Sequence, residues 1–335
     1  MGTRWRALGA LVGDAGRMEP TLAIPDAHDL AARLERSGYL ADEALATISW
    51  LALRLSRPLL LEGEPGTGKT ALAQALAGVL GAPLIRLQCY EGIDASQALY
   101  DWDFPRQILH LRALEALASA GTQAPLGAGA DLAAVEDELF TDRFLLARPV
   151  LRALREAPAV LLVDEIDRAD DEFEAFLLEV LSTWQVTIPE LGTVTAGVPP
   201  VVVLTSNRTR DLHDALKRRC LYHWIEHPSL ERELAIVRTH LPDVSEALAR
   251  QVVAACQQLR GGPASSDAPG GGGRGGLDLV KPPGVAETID WTRALLELGA
   301  PELDTATAAA TLGVAVKHRD DAERVRAALD RVLTR

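Results

Sequence analysis

Eight residues, Gly63-Glu64-Pro65-Gly66-Thr67-Gly68-Lys69-Thr70, constrain this chain more than any other stretch. They satisfy the spacing G-x-x-x-x-G-K-[ST] at every fixed position. Leu59-Leu60-Leu61 precedes them and reads as a short buried strand, because Arg57-Pro58 ends the helical pattern before it. Leu72 to Leu80 follows with helical spacing of its apolar residues. A strand, a glycine-rich turn and a helix in that order fold backbone N–H groups around a concave space suited to a polyphosphate. The helix beginning near Lys69 adds its positive end. In such a loop Lys69 reaches the β- and γ-phosphates, and Thr70 offers its hydroxyl to Mg2+.

A site that turns its nucleotide over needs a second acidic element. Val160-Leu161-Leu162-Val163-Asp164-Glu165 supplies a buried strand ending in two carboxylates. Asp164 is the candidate for holding Mg2+, and Glu165 for orienting and activating the attacking water. Adjacent residues at a strand end point in different directions, so the two acids can serve different partners. Asp167, Asp170, Asp171, Glu172 and Glu174 follow and read as a solvated acidic run with no role of their own. The base is expected to be adenine, since no Asn-Lys-x-Asp is present. Asn207-Arg208-Thr209-Arg210-Asp211 has the wrong spacing for one.

The rest of the chain alternates strand and helix patterns, which predicts a parallel α/β sheet with crossover helices. Strands are expected over 83–87, 159–163, 201–204 and 221–225, with a hairpin over 184–188 and 192–196. Tyr100, Trp102 and Phe104 lie in a stretch that reads as a packed insertion on the sheet rather than a grip for a client polypeptide. After Pro228 only helical patterns occur. The organisation expected is a poorly defined extension over 1–24, an α/β domain over 25–228 and a helical lid over 229–335. A flexible Gly-rich loop over 261–276 interrupts the lid. The length of 335 residues accommodates two domains at roughly 150 residues each. Met18 is an alternative translation start.

Charge and composition narrow the partners. Lys and Arg number 34 against 47 Asp and Glu, a net charge of −13, which argues against binding duplex DNA through phosphate neutralisation. No apolar run approaches the roughly 18 residues of a membrane helix, and the segment Leu8 to Val12 is too short for a secretory signal. The three cysteines, Cys89, Cys220 and Cys256, are too far apart to suggest a disulfide framework, so a soluble cytoplasmic protein is expected. Cys220, His223 and His227 have a spacing that could hold a metal. On a continuous strand, however, Cys220 would face away from the two histidines.

Three further elements carry a family resemblance. Val201 to Asn207 is a strand ending in a polar residue and resembles the sensor-1 element of AAA+ ATPases. Ala215-Leu216-Lys217-Arg218-Arg219-Cys220 sits where those proteins carry an arginine finger, and the helical tail looks like their lid. The order Asp164-Glu165-Ile166-Asp167-Arg168-Ala169, Phe176-Leu177-Leu178-Glu179, Gln185-Val186-Thr187-Ile188 resembles the MoxR family. Its carbon monoxide dehydrogenase accessory (CoxD-like) subgroup is resembled in 86–92, 218–224 and 286–291. The resemblance implies a P-loop AAA+ fold with a helical lid, ATP and Mg2+ as ligands, and ATP hydrolysis. It implies that Asn207 positions the attacking water and that Arg219, with Arg218 as the fallback, reaches a neighbouring subunit's γ-phosphate. It further implies a homo-oligomeric ring such as a hexamer and a von Willebrand factor A domain partner. The client would be a metalloenzyme, such as a molybdenum hydroxylase, whose cofactor is matured or inserted. An AAA+ loader or branch-migration motor acting on DNA is the alternative. One departure stands out: Gly284-Val285-Ala286-Glu287 occupies the place of a sensor-2 arginine, and Arg293 lies some two turns further on.

Overall fold

The computed structural model describes residues 24–119, 138–261 and 277–333. The expected N-terminal extension and nearly all of the Gly-rich loop lie outside the described residues. Two capped helices open the chain, α1 (Ala27–Arg36) and α2 (Glu43–Leu55). Asp26 and Asp42 accept the N–H groups of Asp29 and Leu45, satisfying donors that the first helical turn leaves unpaired. The nucleotide-binding pattern then unfolds as β1 (Leu59–Gly63), α3 (Lys69–Leu80) and β2 (Leu84–Gln88).

An insertion follows: α4 (Ala95–Leu99), β3 (Tyr100–Trp102), α5 (Phe104–Ser119) and β4 (Leu145–Ala147). Strands β3 and β4 pair antiparallel. Trp102 is buried and meets Phe140 edge-on at a centroid distance of 5.1 Å, with Tyr100 at 6.1 Å. The aromatic group is therefore a packed insertion, as its sequence suggested, although Phe104 points to solvent.

The sheet resumes with α6 (Pro149–Arg155), β5 (Val160–Asp164) and α7 (Asp171–Thr183). The antiparallel hairpin β6 (Gln185–Ile188) and β7 (Gly192–Thr195) comes next, then β8 (Val201–Ser206), α8 (Asp214–Arg219) and β9 (Leu221–Ile225). Five strands form one sheet in the order β2-β5-β8-β1-β9, and every pair is parallel. Strands buried on both faces must be apolar throughout, which is why β1, β5 and β8 read as continuous Leu and Val runs. Leu60, Leu161, Val163, Val202 and Leu204 face one helical layer with Phe173 and Leu177. Leu59, Leu61, Val160, Leu162 and Val203 face the other, with Leu72 and Leu76 of α3. Crossing from β1 to β2 moves the chain over β8 and β5, so a crevice opens at the carboxyl ends of the strands.

Beyond Pro228 the described residues are helical: α9 (Leu230–His240), α10 (Glu246–Leu259), α11 (Val285–Glu297), α12 (Thr305–Ala315), α13 (Arg319–Arg326) and α14 (Leu329–Leu333). They enclose a separate apolar core around Val252, Val253, Trp291, Leu295 and Leu312. The indole N–H of Trp291 is satisfied by Thr311 Oγ1 at 2.7 Å. Among the described residues no helix is long and apolar enough to cross a membrane.

Strand β9 ends at Ile225, so His227 leaves the strand register that would have grouped it with His223. Among the described residues no cluster of His, Cys, Asp or Glu could hold a metal ion in the usual multidentate way. The three cysteines are free and buried, and burial pushes each thiol up to about 12. Because the thiolate is the reactive form, Ellman's reagent at pH 8 should leave the native thiols unreacted over minutes and titrate all three in denaturant. Fast reaction of one native thiol would show that its segment opens readily.

Candidate nucleotide site

The loop between β1 and α3 turns on two glycines in the left-handed region, Gly66 at φ 79° and Gly68 at φ 92°. Gly63 is required for a different reason: a Cβ there would lie 2.3 Å from the Ile225 carbonyl oxygen of β9. Thr67 Oγ1 donates to the Glu64 carbonyl at 2.9 Å and tightens the turn. Lys69 begins α3 and curls back, its Nζ donating to the carbonyls of Gly63 at 2.8 Å and Glu64 at 2.7 Å. Burial lowers the pKa of its ammonium, while Asp167, Asp164, Glu165 and Glu64 oppose that shift. The loop thus presents Pro65 and the neighbouring backbone to one open side.

Asp164 ends β5 directly beside this loop and is only 4% exposed. Its Oδ1 accepts from Thr205 Oγ1 at 2.5 Å and from Thr70 Oγ1 at 3.1 Å. Its Oδ2 accepts from the Arg86 guanidinium at 2.5 Å. Thr70 and Asp164 converge as hard oxygen donors, the donor set that Mg2+ takes, so the residues fit that ion. Glu165 adopts the left-handed conformation at φ 55°, and its N–H donates to Thr205 Oγ1 at 2.9 Å. Gln88 Nε2 and the Arg168 guanidinium each reach Glu165 Oε2 at 3.1 Å.

Gly66, Gly68, Lys69, Thr70, Asp164, Glu165 and Asn207 all line one cavity of about 780 Å³. Its far wall comes from Tyr39 and Leu40 before α2, His223 and Trp224 on β9, and Ile236, His240, Val285 and Ile289 of the helical part. The lid sits directly on the loop. Val285 N–H donates to the Gly66 carbonyl at 2.9 Å, and a Cβ on Gly284 would lie 2.6 Å from Gly66 Cα. A backbone contact therefore occupies the place of a sensor-2 arginine. Arg293 points instead to Asp290, and the guanidinium groups lining the cavity among the described residues are Arg86 and Arg232. Arg232 donates to the Leu40 carbonyl at 2.8 Å.

Two buried polar groups hold the seat in place. Arg260 forms two bonds of 2.7 Å to Glu233, which is fully buried, and a third of 2.9 Å to Thr288 at the start of α11. His227 Nε2 lies 3.1 Å from Glu64 Oε2, tying the phosphate loop to the segment entering the lid. Burial and then the nearby Arg260 lower the pKa of His227.

Arg219 does not line the cavity. Its guanidinium donates to Ser182 Oγ of α7 at 2.6 Å, while Arg218 is exposed. Arg57 fixes the helix end that carries both, donating to the carbonyls of Arg218 at 2.8 Å and Arg219 at 3.1 Å.

The acidic run after Glu165 corrects the sequence reading. Asp167 and Glu174 are buried at 2% and 1% exposure rather than solvated. Asp167 Oδ2 accepts from Thr209 N–H at 2.9 Å and Oγ1 at 2.7 Å. Glu174 pairs with Arg210 and accepts from His213 N–H at 2.8 Å. Asp167, in the turn after β5, and Glu174, in the first turn of α7, both face the loop after β8 and satisfy its donors. Arg86, Gln88, Thr205 and Gly284 were also missed as site residues, as was the contact that Gly284 makes with Gly66. The period-two alternation of β2 did hold a signal, since Gln88 registers opposite Asp164 and Arg86 lies on the same face.

Comparison with known proteins agrees with this architecture. Residues 58–220 match the model of the AAA domain, dynein-related subfamily. Midasin of Giardia intestinalis is 50% identical over 48 residues, which is 14% of this chain and 1% of that protein. The ATP-dependent zinc metalloprotease FtsH of Sulfurovum is 26% identical over 218 residues, 59% of this chain and 24% of that protein. This chain thus spans a small part of the length of either relative. The Thermotoga maritima RuvB Holliday junction branch migration motor aligns with a TM-score of 0.40 and 17% identity, covering 88% of this chain and 70% of that one. The fold is the AAA+ P-loop fold, a five-stranded parallel core followed by a helical portion.

The glycine seat yields a test. Gly284→Ala forces a methyl into backbone, an overpacking expected to cost about 1–3 kcal/mol or to lift the lid off the loop. Exchange of the Val285 amide should accelerate and nucleotide affinity should fall. Gly313→Ala, with nothing within 4 Å of its added Cβ, should change neither.

Proposed function

We propose that this chain, through its AAA+ domain, binds and hydrolyses ATP and uses the turnover to remodel a partner protein. One observation carries the reading: Lys69 and Thr70 at the start of α3, Asp164 and Glu165 at the end of β5 and Asn207 just after β8 meet in a single cavity roofed by the helical lid. Lys69 is a point charge that can exchange its two carbonyl acceptors for phosphate oxygens. Mg2+, held by Thr70 and Asp164, would neutralise charge on the phosphates. Glu165 lines the same cavity, its Oε2 held by Gln88 and Arg168, and is the carboxylate we assign to take a proton from water. Asn207 lines the same cavity and is the amide we assign to orient that water. We assign residues 25–228 to the nucleotide-binding unit and 229–335 to the lid that closes over it.

The finer assignment is to the MoxR family and its CoxD-like subgroup, supported by the sequence strings quoted above. On that reading the protein works as a ring with a von Willebrand factor A domain partner and helps mature a metalloenzyme, a molybdenum hydroxylase being the first candidate. Action on DNA is the competing role, and the net charge of −13 opposes it.

The decisive experiment measures ATP binding and turnover with and without duplex DNA. Lys69→Ala should lose binding, whereas Glu165→Gln should keep binding and lose nearly all turnover. Turnover should not respond to DNA; strong stimulation would favour the competing role. Normal turnover in both variants would remove the site assignment.

Arg219 is proposed to act across the interface of a ring, leaving Ser182 to reach a neighbour's nucleotide. Arg219→Ala should bind ATP normally while turnover falls on the order of 10³-fold, the low end for arginine fingers. Mixing it with Glu165→Gln should restore some activity, because certain interfaces then combine an intact glutamate with an intact arginine. If Arg219→Ala is fully active and Arg218→Ala is not, the role passes to Arg218, which is exposed on the same helix.

A further inference from the structure

Asp164 has two oxygens with different company. Oδ1 receives two neutral hydroxyls, Thr70 and Thr205. Oδ2 receives a single partner, the Arg86 guanidinium at 2.5 Å. Hydroxyl oxygens keep lone pairs and can remain beside a cation as further ligands, whereas a guanidinium is donor-only and cannot. Mg2+ takes oxygen ligands at about 2.0–2.1 Å, so a guanidinium resting on Oδ2 occupies one of that oxygen's lone pairs and holds a like charge against any metal bound to this carboxylate. The two are also like charges, so their proximity is costly beside a carboxylate that is 5% exposed.

Arg86 is built to move. Its side chain is 53% exposed, in contrast to its partner, and the same Nη2 already shares a second acceptor, Gln88 Oε1, at 2.5 Å. Withdrawal toward Gln88 and solvent therefore breaks one bond and keeps another. Strand geometry makes this possible: Arg86 and Gln88 are two apart on β2, at the sheet edge, with Gln88 registered opposite Asp164. Among the described residues Arg86 is the cation hydrogen-bonded to Asp164, so the competition concerns this one contact.

We propose that Arg86 is a built-in competitor of the divalent cation at Asp164, a positioning residue that weakens metal-loaded nucleotide binding and hastens release of Mg2+ with ADP. The proposal rests on the reading that Thr70 and Asp164 hold Mg2+. It predicts a gain on removing a charged group, the reverse of what a structural defect would produce.

The test uses the full chain and a fluorescent ADP, which reports binding without turnover. Affinity and release rate are measured with excess Mg2+ and with a chelator, for wild type, Arg86→Gln, Arg86→Met and Thr70→Ala. For both Arg86 variants the metal-loaded affinity should rise about tenfold with correspondingly slower release, the size of one charge-assisted hydrogen bond. Metal-free affinity should change by less than about twofold on the same reasoning. Thr70→Ala should reduce the Mg2+ enhancement. Unchanged or weaker metal-loaded binding in both Arg86 variants, with Thr70→Ala behaving as expected, overturns the role of Arg86 alone. A Mg2+ enhancement untouched in Thr70→Ala overturns the metal assignment and the proposal with it. Circular dichroism melting of each variant separates a loss of folding from either result.

Discussion

The carboxylate of Asp164 organises this molecule. A buried carboxylate must have its oxygens satisfied, and here the donors come from three different elements: Thr70 of α3, Thr205 of β8 and Arg86 of β2. These bonds draw the phosphate loop, the second acidic strand and the sheet edge to one point. Thr205 has a double duty, since the same hydroxyl accepts the N–H of Glu165 while donating to Asp164. It thereby holds Glu165 in a left-handed conformation that a non-glycine residue adopts only under constraint. The separation of the two acids is a consequence of one threonine.

The lid depends on the loop in a comparable way. Where an arginine side chain would sense phosphate at a distance, this chain sets the start of α11 against the loop by a direct amide-to-carbonyl bond between Val285 and Gly66. Such contact is possible only because neither facing residue carries a Cβ. A change in the loop's peptide orientation must therefore displace the helix. The buried Glu233, Arg260 and Thr288 network makes that helix start rigid, so the displacement passes to the lid rather than being absorbed locally.

Much of this was legible in the sequence, and the reasons are physical. The phosphate loop, both acids and all the sheet strands show themselves because glycine spacing and doubly buried strands restrict composition severely. The packed aromatic insertion was legible because Tyr100 and Trp102 alternate along a strand. Asp167 and Glu174 were misread because charge alone suggests exposure; their burial depends on donors in the loop after β8, about forty residues away in the chain. The glycine seat was invisible for the opposite reason, since a contact between two backbones leaves no side-chain signature. Arg86 stood in view on an alternating strand, yet only the register with β5 puts it on the Asp164 carboxylate.

Those misread acids carry the last structural consequence. Asp167 grips Thr209 and Glu174 grips Arg210 and His213, so the segment leaving Asn207 is bound along α7 before it reaches α8. Ser182, near the other end of α7, holds Arg219 of α8. The residue proposed to orient water and the one proposed to reach a neighbour are thus fastened to the same helix, which itself starts just after Glu165. The bonds of Asp167 and Glu174 are half-buried, so that part of the assembly should shift as a body, whereas the Arg219–Ser182 bond is exposed. A change at the glutamate proposed to activate water would then reach the arginine proposed to act at an interface through α7, with no need for a flexible relay. The Arg57 bonds to the α8 carbonyls fix that helix end at the start of β9, which registers opposite the start of β1, a strand's length from the phosphate loop.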